Sequence, residues 1–310
     1  MRQSVLDPNK IALIGVPSSA GARQVGQEEA PRCLRLAGLA ERLRSHGRDV
    51  VDLGDLTRVS FSPDRQNPNQ QNLALVLSVL EQVEGAVDKA VANRAWPLVV
   101  GGDCTITIGV LAALTKRFPN LGLIYLDGDV DLNTPETTLS GIFDGMVLAH
   151  ILGEGADELS HFGSRYPLLE ERNVTLFGYS AQAGGIDPVE VERLQDTQMA
   201  KYPLEEIKDG VRAAAARALR ELESKVDHIL VHFDVDVVDF DDFPAVDVPH
   251  KPGLGLLQAQ EALGVFLESR KSVGLVLTEF NASADTDGKL ARQLNDTIQE
   301  AINTGTSVRM

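Results

Sequence analysis

Short apolar runs recur along the chain at intervals that leave room for a helix between them, and this alternation limits the fold more than any other feature. KIALIGV (10–16), DVVDL (49–53), WPLVVGG (96–102), LGLIYLD (121–127), VTLFG (174–178), HILVHFD (228–234) and SVGLVLTEF (272–280) read as strands. They are brief, rich in β-branched residues and bounded by polar or glycine-containing segments. Stretches such as APRCLRLAGLAERLRSHG, NLALVLSVLEQVEGAVDKAVANR, EEIKDGVRAAAARALRELESK and DGKLARQLNDTIQEAINTG lie between them and repeat apolar residues at helical spacing. Near-continuous apolar strands are those covered on both faces, and strands joined through helices run parallel. The sequence therefore predicts an α/β fold of three layers, a mainly parallel sheet with helices on both faces. Residues 55–71, DLTRVSFSPDRQNPNQQ, read as a polar loop within it. No linker, internal repeat or low-complexity tract interrupts the pattern, so residues 1–310 are expected to form one domain.

Charge narrows the partners. The formal net charge is −16, with 45 acidic against 29 basic side chains, which argues against nucleic acid or an anionic membrane surface. No apolar run approaches the ~20 residues of a membrane span. MRQSVLDPNK leads into the first strand without an apolar signal segment. Two cysteines, Cys33 and Cys104, make no disulfide framework. Cys33 falls in a helix-period run and is expected in the core. A cytoplasmic protein is the expectation.

The strand ends carry the chemistry, because ligands of such sheets sit outside the carboxyl ends of the strands. VVGGDCT ends in Asp103 and Cys104, IYLDGDVD in Asp127, Asp129 and Asp131, LVHFDVDVVD in Asp234 and Asp236, and LVLTEFN in Glu279. Period-two alternation puts Asp127, Asp129 and Asp131 on one side, and likewise His232, Asp234 and Asp236 for as long as that strand stays extended. A lone aspartate at a strand end is commonly a helix N-cap, but two such clusters with a GGD and a strand-end glutamate exceed that need. So many carboxylates repel one another unless cations or protons offset them. A site for a hard divalent cation such as Mn²⁺ or Mg²⁺ is the economical explanation.

These motifs, in this order and at these separations, resemble the arginase or ureohydrolase family over nearly the whole chain. IGVPSSAGARQVGQEEAPRCLRLAGL resembles the family's first strand and glycine-rich loop. GGDCT stands at the GGDH motif, DGDVDLNTPETTLSG at D-A-H-x-D and the substrate loop, FDVDVVD at the late D-x-D, and LTEFN at the strand-end glutamate. The resemblance implies an eight-stranded parallel sheet and hydrolysis of a linear guanidine or amidine by water activated between two Mn²⁺ ions. It implies that Asp127 and Asp234 bridge both ions, that Asp131 and Asp236 each bind one, and that Glu279 anchors the guanidinium. Asn133 and Ser140 match loop residues that hold the amino-acid end of the substrate. It also implies a homo-oligomer, a trimer or hexamer.

Three positions depart from the family pattern. Cys104 and Asp129 stand where the family has metal-binding histidines, and Asp144 where arginases carry a proton-shuttling histidine. None of the six histidines matches either ligand position. Thiolate and carboxylate are both legitimate ligands, so Cys104, Asp127, Asp129, Asp131, Asp234 and Asp236 remain the candidate metal ligands. Asp131, Asp144 and Glu279 are the candidate catalytic residues, with Asp103 and His232 supporting them. Five aspartates and a thiolate outweigh the charge of two divalent ions, an excess relieved by a protonated Cys104 or Asp129 or by losing one ion. It would also make a bound water a poorer acid. His232 is expected to hydrogen-bond Asp131 or to serve as a ligand; the alternative is a buried strand histidine bonded to a backbone carbonyl. His150, His161, His228 and His250 carry no spacing signal and read as surface or structural. The segment after VTLFGYS offers no placed acid for a substrate amine.

Two functions compete. One is a metal-dependent hydrolase of arginine or a modified guanidine such as N-hydroxyarginine, giving urea or a urea analogue plus an amine. The other is a catalytically impaired relative, with one metal or none, acting as a binding or regulatory subunit. The NTPETTLSG loop favours a substrate with an α-amino acid end, although formiminoglutamase- and agmatinase-like substrates remain alternatives.

Overall fold

In the computed structural model, which describes residues 6–180 and 188–307, eight parallel strands form one sheet in the order β2-β1-β3-β8-β7-β4-β5-β6. They are β1 (Asp7–Gly15), β2 (Asp49–Asp55), β3 (Ala95–Val100), β4 (Leu121–Leu126), β5 (Val174–Phe177), β6 (Ala200–Tyr202), β7 (His228–Asp234) and β8 (Ser272–Thr278). Every apolar run expected to be a strand is one. The eighth strand, β6, is only AKY at a sheet edge, too short to show a period.

A row of side chains explains the sheet's cohesion. Leu13, Leu98, Leu275, Val231 and Ile124 stand in register across β1, β3, β8, β7 and β4, and all are fully buried. Truncating one of the leucines to alanine is expected to cost about 2–5 kcal/mol, from lost transfer energy and the cavity left. Helices cover both faces. Leu73–Ala92 and Ile106–Thr115 pack together on one side, and Val211–Glu223, Leu256–Leu267 and Lys289–Ser307 on the other. Ile106–Thr115 is buried along its whole length, as its apolar composition requires. Cover on both faces fails at β2, an edge strand on which Val51 and Leu53 stay exposed.

Residues 56–72 form the expected polar loop, and its position gives it a purpose. Gln71 donates from its side chain to the Ser140 carbonyl (2.8 Å) and from its backbone to the Gly141 carbonyl (2.9 Å). Gly141 has φ of 71°, and a Cβ there would lie 1.7 Å from the Pro68 carbonyl oxygen, so only glycine fits. The loop thus braces the 133–141 segment from outside. Among the described residues no helix is long and apolar enough to cross a membrane.

Candidate metal centre at the strand ends

The four strands β3, β8, β7 and β4 are neighbours at the centre of the sheet, and the acids flagged in the sequence follow their carboxyl ends. A cavity of about 120 Å³ opens there, lined by Cys104, all of Asp127, Asp129, Asp131, Asp144, Asp234 and Asp236, and by Asn133 and Ser140. Roomier grooves, of about 380 to 560 Å³, lie on the outer helices and gather no comparable set of acids.

Local chain geometry aims these side chains inward. After β7 the backbone does not stay extended, so the period-two alternation ends at Asp234 and Asp236 is placed by a turn instead. Asp234 accepts from the Asp236 N–H at 2.7 Å and caps a 3-10 turn over Val235–Val237. An aspartate that bonds the amide two residues on turns the chain, and here the turn carries Asp236 back beneath Gly128, whose N–H it accepts at 3.2 Å. Asp127 likewise accepts from the Asp129 N–H at 2.6 Å. Asp131 and Glu279 sit at φ of 47° and 65°, a left-handed conformation that non-glycine residues hold only where surrounding structure enforces it.

Three groups of ligand atoms lie within 4.8 Å of one another: Cys104, Asp127, His232 and Asp234; Cys104, Asp144 and Glu279; and Asp129, Asp236 and His250. Each group contains a buried polar atom with no hydrogen-bond partner, namely Asp127 Oδ2, Glu279 Oε1 and His250 Nε2. Orphaned buried atoms cost free energy and call for an occupant. The donors are mostly carboxylate oxygens with imidazole nitrogens, which suits Mn²⁺. The residues fit a divalent ion.

The electrostatics agree. Burial first, then repulsion from neighbouring acids, holds the carboxyls of Asp127, Asp131, Asp144, Asp234 and Glu279 well above the usual carboxylate range. Burial likewise raises Asp236, to about 6. Burial and then Asp234 push the Cys104 thiol far up, so it keeps its proton and donates to Asp234 Oδ2 at 2.8 Å. Burial alone would lower His250, but Asp236 and Asp129 outweigh it and carry its pKa up to about 9.

The side chains around these groups take partners that alternation alone does not reveal. His232 does not reach Asp131. Its Nδ1 pairs with Thr107 Oγ1 at 2.8 Å rather than with a backbone carbonyl, and its Nε2 lies 3.5 Å from Cys104 Sγ and 3.6 Å from Asp127 Oδ2. Burial drops its pKa to about 3, so the ring is neutral and able to ligate. The partner of Asp131 is Tyr125, whose hydroxyl donates to Oδ2 at 2.5 Å. Tyr125 stands opposite His232 in the β4–β7 register, and the rings stack with centroids 4.1 Å apart. Asp103 faces away from the cavity, accepting from the Gly21 N–H at 3.0 Å and from Thr105, and so fixes the glycine-rich loop. Glu279 does not line the cavity; it accepts from Gln27 and lies within ligand distance of Cys104 and Asp144. Asp144 accepts from the Cys104 N–H at 2.8 Å. Asn133 Oδ1 accepts from Thr137, and Ser140 Oγ accepts from the Ile142 N–H. His150 is fully buried, as a structural role requires, and Cys33 is only half-buried at the rim of the core.

Four contributors carried no readable signal. His250, read as surface or structural, is buried in the site. Arg23 and Val248 join the cavity wall, and so does Glu190, whose Oε1 accepts from the Leu132 N–H at 2.9 Å. Glu190 lies ten residues after VTLFGYS, in a helix over Pro188–Asp196; residues 181–187 of that segment lie outside the described residues.

Fold and site together define a class: α/β proteins that gather hard-cation ligands at the carboxyl edge of a parallel sheet. The Arginase family model matches residues 9–303, and the chain belongs to that family. An arginase from Bacillus caldovelox is 30% identical over 284 residues, 91% of this chain and 94% of that relative. The crystal structure of arginase from Bacillus cereus superposes with a TM-score of 0.86 at 30% identity, over 94% of this chain and 97% of that one. The agmatine ureohydrolase of Thermoplasma volcanium shares the fold with a TM-score of 0.73 at 20% identity, over 99% of this chain and 94% of that one.

Proposed function

We propose that the chain is a metal-dependent hydrolase of a linear guanidino or amidino C–N bond, acting on arginine or a modified arginine such as N-hydroxyarginine and releasing urea or a urea analogue with an amine. One observation carries this reading: six aspartates and Cys104 line one cavity, with two buried orphan atoms, Asp127 Oδ2 and His250 Nε2, among the candidate ligand atoms beside it. Cys104, Asp127, His232 and Asp234 would hold one ion, Asp129, Asp236 and His250 a second, and Asp131, in the same cavity wall, would complete the shell of one of them. When bound, Mn²⁺ supplies the positive charge that acidifies water and polarises the carbon under attack.

The chain's own residues do the rest. The anionic wall draws in a guanidinium cation. Asp144, held by the Cys104 N–H and within ligand distance of Glu279, keeps a proton available for the departing amine. Asn133 and Ser140 offer polar atoms to the distal end of the substrate. Glu190 presents a carboxylate to an α-ammonium, and Arg23 a cation to an α-carboxylate. A wall that carries both Glu190 and Arg23 favours an amino acid over its decarboxylated amine.

A second reading, a binding or regulatory subunit with one ion or none, is favoured by the Cys104 thiol, which spends its proton on Asp234 instead of offering a thiolate. The deciding experiment incubates the chain with Mn²⁺ and follows urea and amine release across arginine, N-hydroxyarginine, agmatine and formiminoglutamate. No turnover on any of them with metal bound would count against the hydrolase. Cytoplasmic location, supported by two free cysteines, and assembly as a homo-trimer or hexamer belong to the same proposal; light scattering reads the latter.

A further inference from the structure

The sequence has aspartate at position 129, where the resemblance expects an imidazole, and the structure brings an imidazole beside that position from elsewhere. His250 lies in the loop VPHKPG between β7 and the helix Leu256–Leu267, far along the chain from the D-x-D-x-D segment. Its side chain is buried, with Nε2 3.3 Å from Asp129 Oδ2 and 3.8 Å from Asp236 Oδ2. Both are charge contacts, and Nε2 has no hydrogen-bond partner. An imidazole nitrogen and two carboxylate oxygens lie mutually within 4.8 Å, near enough to bind one divalent cation together.

Gly128 makes this placement possible. The motif D-A-H-x-D has alanine between its first two ligands, whereas this chain has glycine. A Cβ on Gly128 would lie 2.4 Å from His250 Cδ2 and 2.7 Å from Nε2, well inside van der Waals contact. The imidazole therefore occupies the space of the missing methyl group. Two departures in adjacent positions, glycine for alanine and aspartate for histidine, are accounted for by one ring arriving from residue 250.

We propose that His250 is a metal ligand that replaces the family's imidazole, completing a divalent-cation site with Asp129 and Asp236, and that Gly128 is the residue that admits it. The inference rests on the metal-dependent reading above and specifies how this chain's cation site is built. It also adds an imidazole nitrogen to a site that the sequence alone furnished only with anions.

The test is Mn²⁺ binding, read by electron paramagnetic resonance titration and by metal content after desalting, together with the nitrogen modulation of bound Mn²⁺. Wild type should take up Mn²⁺ and show imidazole nitrogen coupling. His250→Phe, which keeps the ring and removes its nitrogens, should weaken one site by at least about tenfold, since losing even an outer-shell partner brings that much. Part of the nitrogen modulation should go with it. Gly128→Ala alters no ligand and should give the same loss by displacing the ring, which decides the matter if His250→Phe does not fold. Gly128→Ala with Asp129→His should recover binding to within about threefold of wild type by rebuilding the family arrangement. Unchanged binding in His250→Phe or Gly128→Ala overturns the role of His250 while leaving the hydrolase standing. A wild-type chain that binds no Mn²⁺ at all overturns the metal-dependent reading, and this inference falls with it.

Discussion

Removing the Tyr125 hydroxyl probes whether the site is held together by its second layer. Tyr125→Phe keeps the ring, its stacking on His232 and its burial in β4, and deletes one bond, the 2.5 Å donation to Asp131 Oδ2. The Tyr125 ring is fully buried, so no water takes the place of its hydroxyl. A hydrogen bond to a carboxyl of this kind contributes about 1–3 kcal/mol. With an unfolding entropy of about 2.1 cal/mol/K per residue, a chain of 310 residues has about 0.65 kcal/mol/K, and the melting point should fall by about 2–5 °C. Asp131 then loses the contact that fixes its plane, and Mn²⁺ affinity should drop by about tenfold or more. Scanning calorimetry on metal-free protein gives the first number and a Mn²⁺ titration the second. A melting point within 1 °C of wild type, together with unchanged affinity, would refute the idea that Tyr125 orients Asp131.

Three other outcomes follow from the geometry. Saturating the chain with Mn²⁺ at about one hundred times its dissociation constant should stabilise it by about 2.7 kcal/mol, and at the entropy above raise the melting point by about 4 °C; no shift would mean no coupling between ion and fold. Arg23→Ala should raise KM for arginine by about tenfold while leaving agmatine, which has no carboxylate, nearly unaffected, since losing one charge-assisted bond costs about 1.4 kcal/mol or more; equal effects on both would remove Arg23 from substrate recognition. His150 is buried, with Nδ1 bonded to the Met146 carbonyl and Nε2 accepting the Ala156 N–H, and burial lowers its pKa to about 4. The unfolded chain takes up this proton first, so His150 contributes fully above pH 6.5 and its contribution is lost as pH falls towards 4. Relative to a His150→Gln variant, wild type should lose about 3 kcal/mol across that window in denaturant titrations; a constant difference would show that His150 does not titrate there.

Much of the fold was legible because burial on both faces leaves little choice of residue. LGLIYL and SVGLVL announce central strands since every position must be apolar, whereas AKY at the edge faces no such demand. The strand-end acids were legible for the related reason that each interrupts an apolar run. Alternation tells which face a residue takes but not which side chain meets it there. His232 was therefore paired with Asp131, when the strand opposite sets Tyr125 between them. The turn at Val235–Val237 was hidden because an aspartate's bond to the amide two residues on leaves no periodic trace. His250, Arg23 and Glu190 reach the site from a loop, a loop and a helix start, and no spacing relates them to the acids they face.

The candidate ligands Cys104, Asp127, His232 and Asp234 join the end of β3 to those of β4 and β7, and β8 stands between β3 and β7 in the sheet. A chain emerging from the ribosome cannot close this group until β8 has been made and inserted between β3 and β7. Loading it with a cation is therefore an event of the finished sheet. An ion retained beside Cys104 certifies that both halves of the sheet have closed on each other, which no single helix of this protein is able to report.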